Sequence, residues 1–178
     1  MTAYAIFLRA VNVGGRAPLP MATYRAVLED LGYADVRTYL QSGNAVARTS
    51  VGRARVASDV HEALARASGL DVDVIVRTAT DMARVIERAP FDEDAPPTAK
   101  HVAFFARAED AARLRRLEGG EFGADRLVLD GENVYLSSPN GLGRSKLAAA
   151  AARDVAAGRG TMRNWNTVVA LSDLLGGP

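Results

Sequence analysis

Cysteine is absent from this 178-residue sequence. Its absence excludes disulfide bonds, thiolate zinc sites, iron–sulfur ligation and cysteine nucleophiles. Histidine is scarce, with only His61 and His101, and no HExxH zinc motif or paired-histidine spacing occurs. No GxSxG nucleophile elbow is present either. The sequence therefore carries no local catalytic motif, and general acid–base chemistry by distant carboxylates, which leaves no such motif, stays open.

Excess charge and long apolar runs are also lacking. The formal net charge is +1, so no global field favours nucleic acid as a partner. No stretch approaches the ~20 apolar residues of a membrane span. The N-terminus leads directly into an apolar strand pattern, without the basic segment and cleavage site of a signal peptide. We therefore expect a cytoplasmic protein with no membrane partner.

Apolar spacing predicts alternating strands and helices over the first 77 residues. A strand at 4–11 and a loop at 12–20 precede a helix that Gly32 ends. Two hairpin strands, at 36–41 and 45–49, enclose the turn Ser42-Gly43-Asn44. A second helix ends at Gly69, and a strand follows at 72–77. This order, βαββαβ, is that of a ferredoxin-like unit.

The second half has a related pattern. Thr80 is predicted to cap a short helix that Pro90 stops. The acidic, proline-containing stretch 91–99 then suits a solvated linker better than a metal site. The remaining predicted elements are a strand at 101–107, a helix at 109–117, a hairpin at 126–137, a helix ending at Gly158 and a last helix within 164–175. This order, βαββαα, predicts a degenerate second unit with an extra C-terminal helix.

The predicted fold class is therefore α+β, with a ferredoxin-like unit at 1–90, a linker at 91–99 and a second unit at 100–178. One short match supports an internal duplication: Tyr4–Ala10 resembles Val102–Ala108 at four of seven positions. A second match, of Tyr39–Asn44 with Tyr135–Asn140, joins strands of different rank in the two halves. Duplication and chance similarity both stay open.

Four ordered segments resemble a known bacterial family. They are Leu8-Arg-Ala-Val-Asn-Val-Gly-Gly15, Thr38-Tyr-Leu-Gln-Ser-Gly-Asn44, Gly143-Arg-Ser-Lys-Leu147 and Thr161-Met-Arg-Asn-Trp-Asn-Thr-Val168. Together they resemble the family named domain of unknown function 1697. The resemblance implies an α+β fold with ferredoxin-like units and no established activity. Ala10 stands where this family usually has glycine, which we interpret as the absence of a strict backbone requirement there.

The loop after the first strand is one candidate ligand site. It contains Asn12, Gly14, Gly15 and Arg16, and Arg9 lies at the end of the strand. Adjacent backbone N–H groups in such a loop form an anion-binding nest, to which Arg16 would add a planar donor. The loop matches neither the P-loop nor the GxGxxG pattern. A plain connection to the next helix is the structural alternative.

Three further segments carry polar groups. Arg144, Ser145 and Lys146 begin a helix, where the positive end of the dipole favours a phosphate, although a capped helix start explains them equally. Arg163, Asn164, Trp165, Asn166 and Thr167 could bind a heterocycle or a carboxylate. Their structural alternative is an asparagine cap with a packed tryptophan. Gln41 and Asn44 belong first to a turn. The turn does not require the Gln41 side chain, which could therefore face the ligand.

These segments favour a binding protein for a small anionic or phosphorylated ligand, held in a cleft between the two units. A nucleic-acid-binding ferredoxin-like protein is the first alternative, with Phe7 and Tyr39 as stacking aromatics. The near-zero net charge and the non-aromatic third strand disfavour it. The second alternative is an enzyme for a phosphorylated substrate, and whether the chain is an enzyme stays open. No cofactor or metal is indicated.

Overall fold

The structure is a computed structural model that describes residues 1–15 and 17–176. The chain divides into two compact units. The first comprises Met1–Arg84 with the C-terminal segment that begins at Ala170, and the second comprises Val85–Val169. The stretch 91–99, predicted as a linker between units, lies within the second unit in this division.

The first unit is a four-stranded antiparallel sheet with its first two helices packed on one face. Its elements are β1 (Thr2–Leu8), α1 (Met21–Asp30), β2 (Ala34–Tyr39), β3 (Asn44–Thr49), α2 (Arg53–Ser68), β4 (Val74–Thr78) and most of α3 (Ala79–Glu87). The strand order is β2-β3-β1-β4, and all neighbours are antiparallel. The element order predicted for the first 77 residues is confirmed.

Alternation along the strands builds the core of this unit. Ile6 and Leu8 face the helices and pack with Leu28 and Leu64, whereas Phe7 points to the other face of the sheet. The Tyr24 hydroxyl donates a buried hydrogen bond to the Ile6 carbonyl at 3.2 Å. The helical layer is therefore fixed to β1 by packing and by one internal polar contact.

The start of α3 differs from its prediction. Thr78, not Thr80, caps the helix: the Thr78 N–H donates to Asp81 Oδ2 at 2.9 Å, and the Asp81 N–H donates to Thr78 Oγ1 at 3.0 Å. This reciprocal pair is a capping box, which satisfies two otherwise unpaired donors. Burial alone would raise the pKa of Asp81, but the hydrogen bonds from Thr78 outweigh it and hold the pKa below its ordinary value.

The second unit repeats the strand order of the first. Its elements are β5 (Lys100–Phe104), α4 (Ala108–Ala111), β6 (Arg126–Asp130), β7 (Asn133–Ser137), α5 (Lys146–Ala157), β8 (Thr161–Asn164) and the first half of α6 (Trp165–Leu174). The order is β6-β7-β5-β8, again antiparallel throughout. Short 3-10 segments at Pro97–Ala99, Ala112–Leu117 and Leu142–Arg144 complete the unit.

Strand β8 corrects the predicted order βαββαα, which lacked a fourth strand. Four residues are too few to show the period-2 pattern that identifies a strand. The two glycines before it have a packing role: a Cβ at Gly158 would lie 2.9 Å, and one at Gly160 2.6 Å, from the Phe105 ring. The absence of side chains there lets the backbone turn closely over Phe105 into β8. The predicted helix at 109–117 is also wrong in part, since only Ala108–Ala111 is α-helical.

Candidate functional site

Asn12 fastens the loop between β1 and α1. Its Nδ2 donates to the Leu19 carbonyl at 2.9 Å and to the Gln41 carbonyl at 2.7 Å. Its Oδ1 accepts from the Leu19 N–H at 2.8 Å, and its own N–H donates to the Ala17 carbonyl at 3.1 Å. The Asn12 amide therefore joins both ends of the loop to the β2–β3 turn, and these contacts occupy its donors.

The turn at residues 41–44 packs directly on the end of β1. The Leu8 N–H donates to the Gly43 carbonyl at 2.7 Å, and a Cβ at Gly43 would lie 2.5 Å from Val11. Asn44 is fully buried, and its Nδ2 donates to the Tyr39 carbonyl and the Ser42 hydroxyl. The structure thus brings together two segments that the sequence marked separately. Gln41 contributes its backbone carbonyl to this contact.

Four residues of the β1–α1 loop have a left-handed backbone. Ala10, Asn12, Gly14 and Gly15 have φ values of 56°, 55°, 58° and 74°, whereas Val11 and Val13 are not left-handed. Left-handed residues in a loop are typical of an anion nest, in which successive N–H groups face one side. Among the described residues, nothing accepts a hydrogen bond from the N–H groups of Gly14 and Gly15. The loop therefore presents exposed, fixed donors.

The inference drawn from Ala10 is wrong. Its positive φ shows that this position does require the left-handed conformation, which glycine adopts freely. Alanine tolerates the conformation at a cost of about 1–2 kcal/mol. Residues other than glycine keep a left-handed backbone only where the surrounding structure enforces it. Such residues are common in ligand-binding loops.

Of the two arginines predicted for this loop, Arg9 lies among the described residues. Arg9 is half-buried, its Nη1 lies 3.3 Å from Asp73 Oδ2, and its N–H donates to the Asp73 carbonyl. Arg9 is therefore tied to the segment that precedes β4. Arg16 lies outside the described residues.

The N-terminus of α5 is already capped, and its positive end is already paired with a carboxylate of the same unit. Ser145 caps the helix: its Oγ accepts from the Ala148 N–H at 2.7 Å and donates to Asp125 Oδ2 at 2.6 Å. Both residues are buried, so the Asp125 carboxylate brings negative charge to the helix N-terminus, the role predicted for a ligand. Arg144 and Lys146 are exposed beside this start. The geometry matches the structural alternative, a capped helix with solvated charges.

The polar groups at 163–167 are also used within their unit. Arg163 is buried, and its Nη1 donates to Thr161 Oγ1 at 2.6 Å and to the Met162 carbonyl at 2.9 Å. Asn164 caps α6, since its Oδ1 accepts from the Thr167 N–H at 2.9 Å. The half-buried Trp165 packs edge-on against Phe91, with ring centroids 5.1 Å apart. Of the five residues, only Asn166 is exposed with no such described contact.

Phe91 also meets Tyr135 edge-on, with centroids 5.7 Å apart. The Tyr135 hydroxyl donates a buried hydrogen bond to the Val85 carbonyl at 3.1 Å. Burial first, and then the nearby Asp130, raise the pKa of Tyr135 to about 12. The segment predicted as a solvated linker therefore supplies an aromatic anchor to the second sheet.

His101 is the buried histidine of the second unit. It lies on β5 opposite Leu136 and Asn164, and its Nδ1 has no hydrogen-bond partner among the described residues. Burial lowers the pKa of His101 below its ordinary value. The imidazole is therefore mainly neutral at physiological pH.

One candidate feature was not singled out from the sequence. On the sheet face opposite α1 and α2, the first unit has a groove of about 260 Å³. We name it the Arg37–Arg48 groove; its walls include Ala3, Arg37, Val46, Arg48, Leu174 and Leu175. Arg37 lies on the edge strand β2, and Arg48 lies on its neighbour β3. A charged pair on adjacent strands becomes visible only with the strand register.

The described residues, 1–15 and 17–176, contain neither a metal-binding cluster nor a candidate membrane helix. In those ranges no group of three or more histidine and carboxylate side chains could hold a metal ion. No helix of the described chain has both the length and the apolar character that a membrane span needs.

The model of a family described as a protein of unknown function, DUF1697, matches residues 1–135. The chain belongs to the DUF1697 family. The match contains the loop at 8–15 and the turn at 38–44, so the resemblance inferred from these motifs is confirmed. The fold is similar to that of a conserved bacterial protein, SP0830 from Streptococcus pneumoniae, with a TM-score of 0.81 and 21% identity over 98% of each chain. At this identity the similarity concerns the fold alone. No curated protein matches this DUF1697 chain.

Proposed function

We propose that this DUF1697 protein binds a small anionic ligand of the phosphate or carboxylate class at the β1–α1 loop. The observation that carries the proposal is the positive φ of Ala10, Asn12, Gly14 and Gly15, together with the two exposed glycine N–H groups. Backbone N–H groups that converge in this way bind anions without any positively charged side chain.

Preorganisation supports the proposal. The bonds from Asn12 to Leu19 and Gln41 hold the loop before any ligand arrives. A loop that is already ordered loses less conformational entropy on binding, which leaves more of the interaction energy as affinity. That Arg16, the next residue in the sequence, adds its guanidinium to this site stays a prediction.

The segments of the second unit support the proposal less. The Ser145 hydroxyl, the Arg163 guanidinium and the Asn164 amide already bond to neighbouring protein groups. That residues 144–146 and 163–167 join the same ligand in a cleft stays a prediction. We also propose that each unit is ferredoxin-like, and the strand orders β2-β3-β1-β4 and β6-β7-β5-β8 support this.

Nucleic-acid binding has weaker support. In domains that bind single-stranded RNA on a sheet, exposed aromatic side chains stack on bases. Phe7, the first aromatic considered for this role, is 0% exposed, and Tyr39 is half-buried. The sheet of the first unit therefore lacks the open aromatic pair on which that alternative depended.

A thermal-shift titration with inorganic phosphate at constant ionic strength tests the proposed function. Phosphate should raise the melting temperature saturably, because a ligand at 100 times its Kd stabilises the fold by ~2.7 kcal/mol. Gly15→Ala should abolish the shift by disturbing the nest, since φ is 74° there. A Cβ at this glycine meets nothing within 4 Å, so the fold itself should survive.

Gly69→Ala is the matched control. Gly69 has a φ of 70°, and a Cβ there also meets nothing within 4 Å, but its N–H already donates to the Ala65 carbonyl at the end of α2. The control should lose a similar amount of stability and keep the phosphate response. Equal phosphate responses in the two variants would contradict the proposed site.

A further inference from the structure

The Arg37–Arg48 groove lies on a different part of the first unit from the β1–α1 loop. It opens on the sheet face opposite α1 and α2, beside the C-terminal end of α6. Its guanidinium groups come from the edge strand β2 and from its neighbour β3. Its apolar wall comes from Val46, Leu174 and Leu175.

A β-bulge places the two arginines on one face. Ala34 pairs with Arg48 and Arg37 pairs with Val46, so β2 advances three residues while β3 advances two. In a regular ladder Arg37 would lie opposite Ala45, whose side chain packs in the helix-covered core. The extra residue turns Arg37 to the side of Val46 and Arg48. Asp35, within the bulge, has a φ of 53°, which an aspartate tolerates.

The charges of the groove favour an anion. No described residue forms an ion pair or a side-chain hydrogen bond with Arg37, and Arg48 has only a long contact of 3.8 Å with the exposed Asp35. The negative charges at the groove are the Asp35 carboxylate and roughly half a charge from the C-terminal end of α6. The two guanidinium groups contribute two full positive charges, so the positive charge is larger. The terminal carbonyls of α6 are partly satisfied by backbone donors, since the Leu175 N–H bonds to Leu171 and the Gly176 N–H to Asp173. These carbonyls therefore do not depend on Arg37 or Arg48 as hydrogen-bond donors.

The size and lining of the groove narrow the ligand class. A planar guanidinium binds a carboxylate through two parallel hydrogen bonds. Val46 and the two leucines offer apolar contact next to these donors. The volume lies below the ~300–1,000 Å³ typical of pockets for drug-sized ligands, so the ligand must be compact.

We propose that the Arg37–Arg48 groove is a second binding site, which takes a small carboxylate with a compact apolar body. The carboxylate lies between the two guanidinium groups, and the apolar body contacts Val46, Leu174 and Leu175. Asp35 competes with the ligand for Arg48. This site is independent of the phosphate-class ligand proposed for the β1–α1 loop.

NMR titration with three probes distinguishes the role of charge from the role of apolar contact. The probes are benzoate, its neutral counterpart benzamide, and acetate, which lacks the apolar body. Benzoate should shift the signals of Val46, Leu174 and Leu175 saturably and bind more tightly than either of the others. Equal affinity of benzamide would overturn the role of charge, and equal affinity of acetate would overturn the role of the apolar wall. Benzoate shifts confined to Gly14 and Gly15 would assign the probe to the loop and overturn a second site.

Variants test the residues. Arg37→Gln and Arg48→Gln should each weaken benzoate binding by at least about ten-fold, the effect of losing a hydrogen bond to a charged group. Asp35→Asn keeps a side chain that tolerates positive φ and removes the competing carboxylate. It should tighten benzoate about two- to five-fold, as expected for an exposed ion pair.

Arg25→Gln is the matched control, because Arg25 is exposed on α1 and lies outside the groove. It should leave the benzoate affinity unchanged. An equal loss in Arg25→Gln and Arg37→Gln, or weaker binding in Asp35→Asn, would overturn the proposal. Gly15→Ala should leave benzoate binding intact, which separates a failure of this site from a failure of the loop.

Discussion

Asn12 offers the sharpest test of how the proposed ligand loop is held. Asn12→Ala removes two partly buried hydrogen bonds to Leu19 and one exposed bond to Gln41. At a net value near 1 kcal/mol for each buried bond and less for the exposed one, their loss costs about 2–3 kcal/mol. Alanine at a φ of 55° adds about 1–2 kcal/mol. The expected loss in the free energy of unfolding is therefore about 3–5 kcal/mol.

Asn12→Gly separates the two contributions. Glycine also removes the hydrogen bonds but adopts the left-handed conformation freely, so this variant should be about 1 kcal/mol more stable than Asn12→Ala. Urea denaturation with linear extrapolation measures both values, and an unchanged m-value shows that two-state unfolding is preserved. Asn140→Ala, at an exposed loop position, should stay within about 0.5 kcal/mol of the parent.

Two outcomes would refute this reasoning. If Asn12→Gly unfolds at the same urea concentration as the parent, the side-chain bonds contribute nothing. If the alanine and glycine variants are equally stable, the residue is not held in the left-handed conformation. Either result would remove the preorganisation on which the binding proposal relies.

Three further predictions concern stability. Thr78→Ala should cost about 1 kcal/mol in urea denaturation by removing the capping box, whereas Thr80→Ala should change stability by less than about 0.5 kcal/mol, and the reverse order would contradict the assigned cap. The pKa of Tyr135 is raised to about 12, so the tyrosine ionises first in the unfolded state. Up to roughly 2–3 kcal/mol of stability should be lost as the pH rises from about 10 to 12, and Tyr135→Phe should not show this alkaline loss. The pKa of His101 is lowered, so on acidification the unfolded state takes up the proton first. The stability that neutral His101 contributes is complete above the unfolded pKa of ~6.5 and is lost as the pH falls below it, by at most ~1.4 kcal/mol per pH unit. His101→Gln should flatten this acid limb in chemical denaturation at several pH values, and a larger flattening by His61→Gln would contradict the assignment.

The fold of the first unit could be predicted because its segments are long and strongly periodic. The 16-residue helix α2 and the alternating strand β1 show unambiguous patterns. Strand β8 has only four residues, so its identity depends on pairing with β5, which is distant in sequence. The α3 cap could have been found, since Thr78 and Asp81 have the spacing of a capping box.

The repeated strand order agrees with one of the two short sequence matches between the halves. The matched segments Tyr4–Ala10 and Val102–Ala108 overlap β1 and β5, which hold corresponding inner positions in the two sheets. The second match pairs the β2–β3 turn with the end of β7, which are not corresponding positions. Only the first match therefore agrees with the repeated strand order.

The candidate site was harder to predict because a sequence shows which polar groups exist but not which are already paired. Ser145 and Asn164 looked available for a ligand, yet each caps a helix. Conversely, the pairing of Arg37 with Arg48 across one groove depends on a one-residue bulge, which changes the face of every later residue in the strand.

The most direct test of the central claim is the response of the Gly14 and Gly15 amide signals to inorganic phosphate, followed by ¹H–¹⁵N NMR at constant ionic strength. Both signals should move saturably and with one common dissociation constant, while the Gly69 amide stays in place. Unchanged Gly14 and Gly15 signals, or the same linear drift at Gly69, would contradict an anion site in the β1–α1 loop.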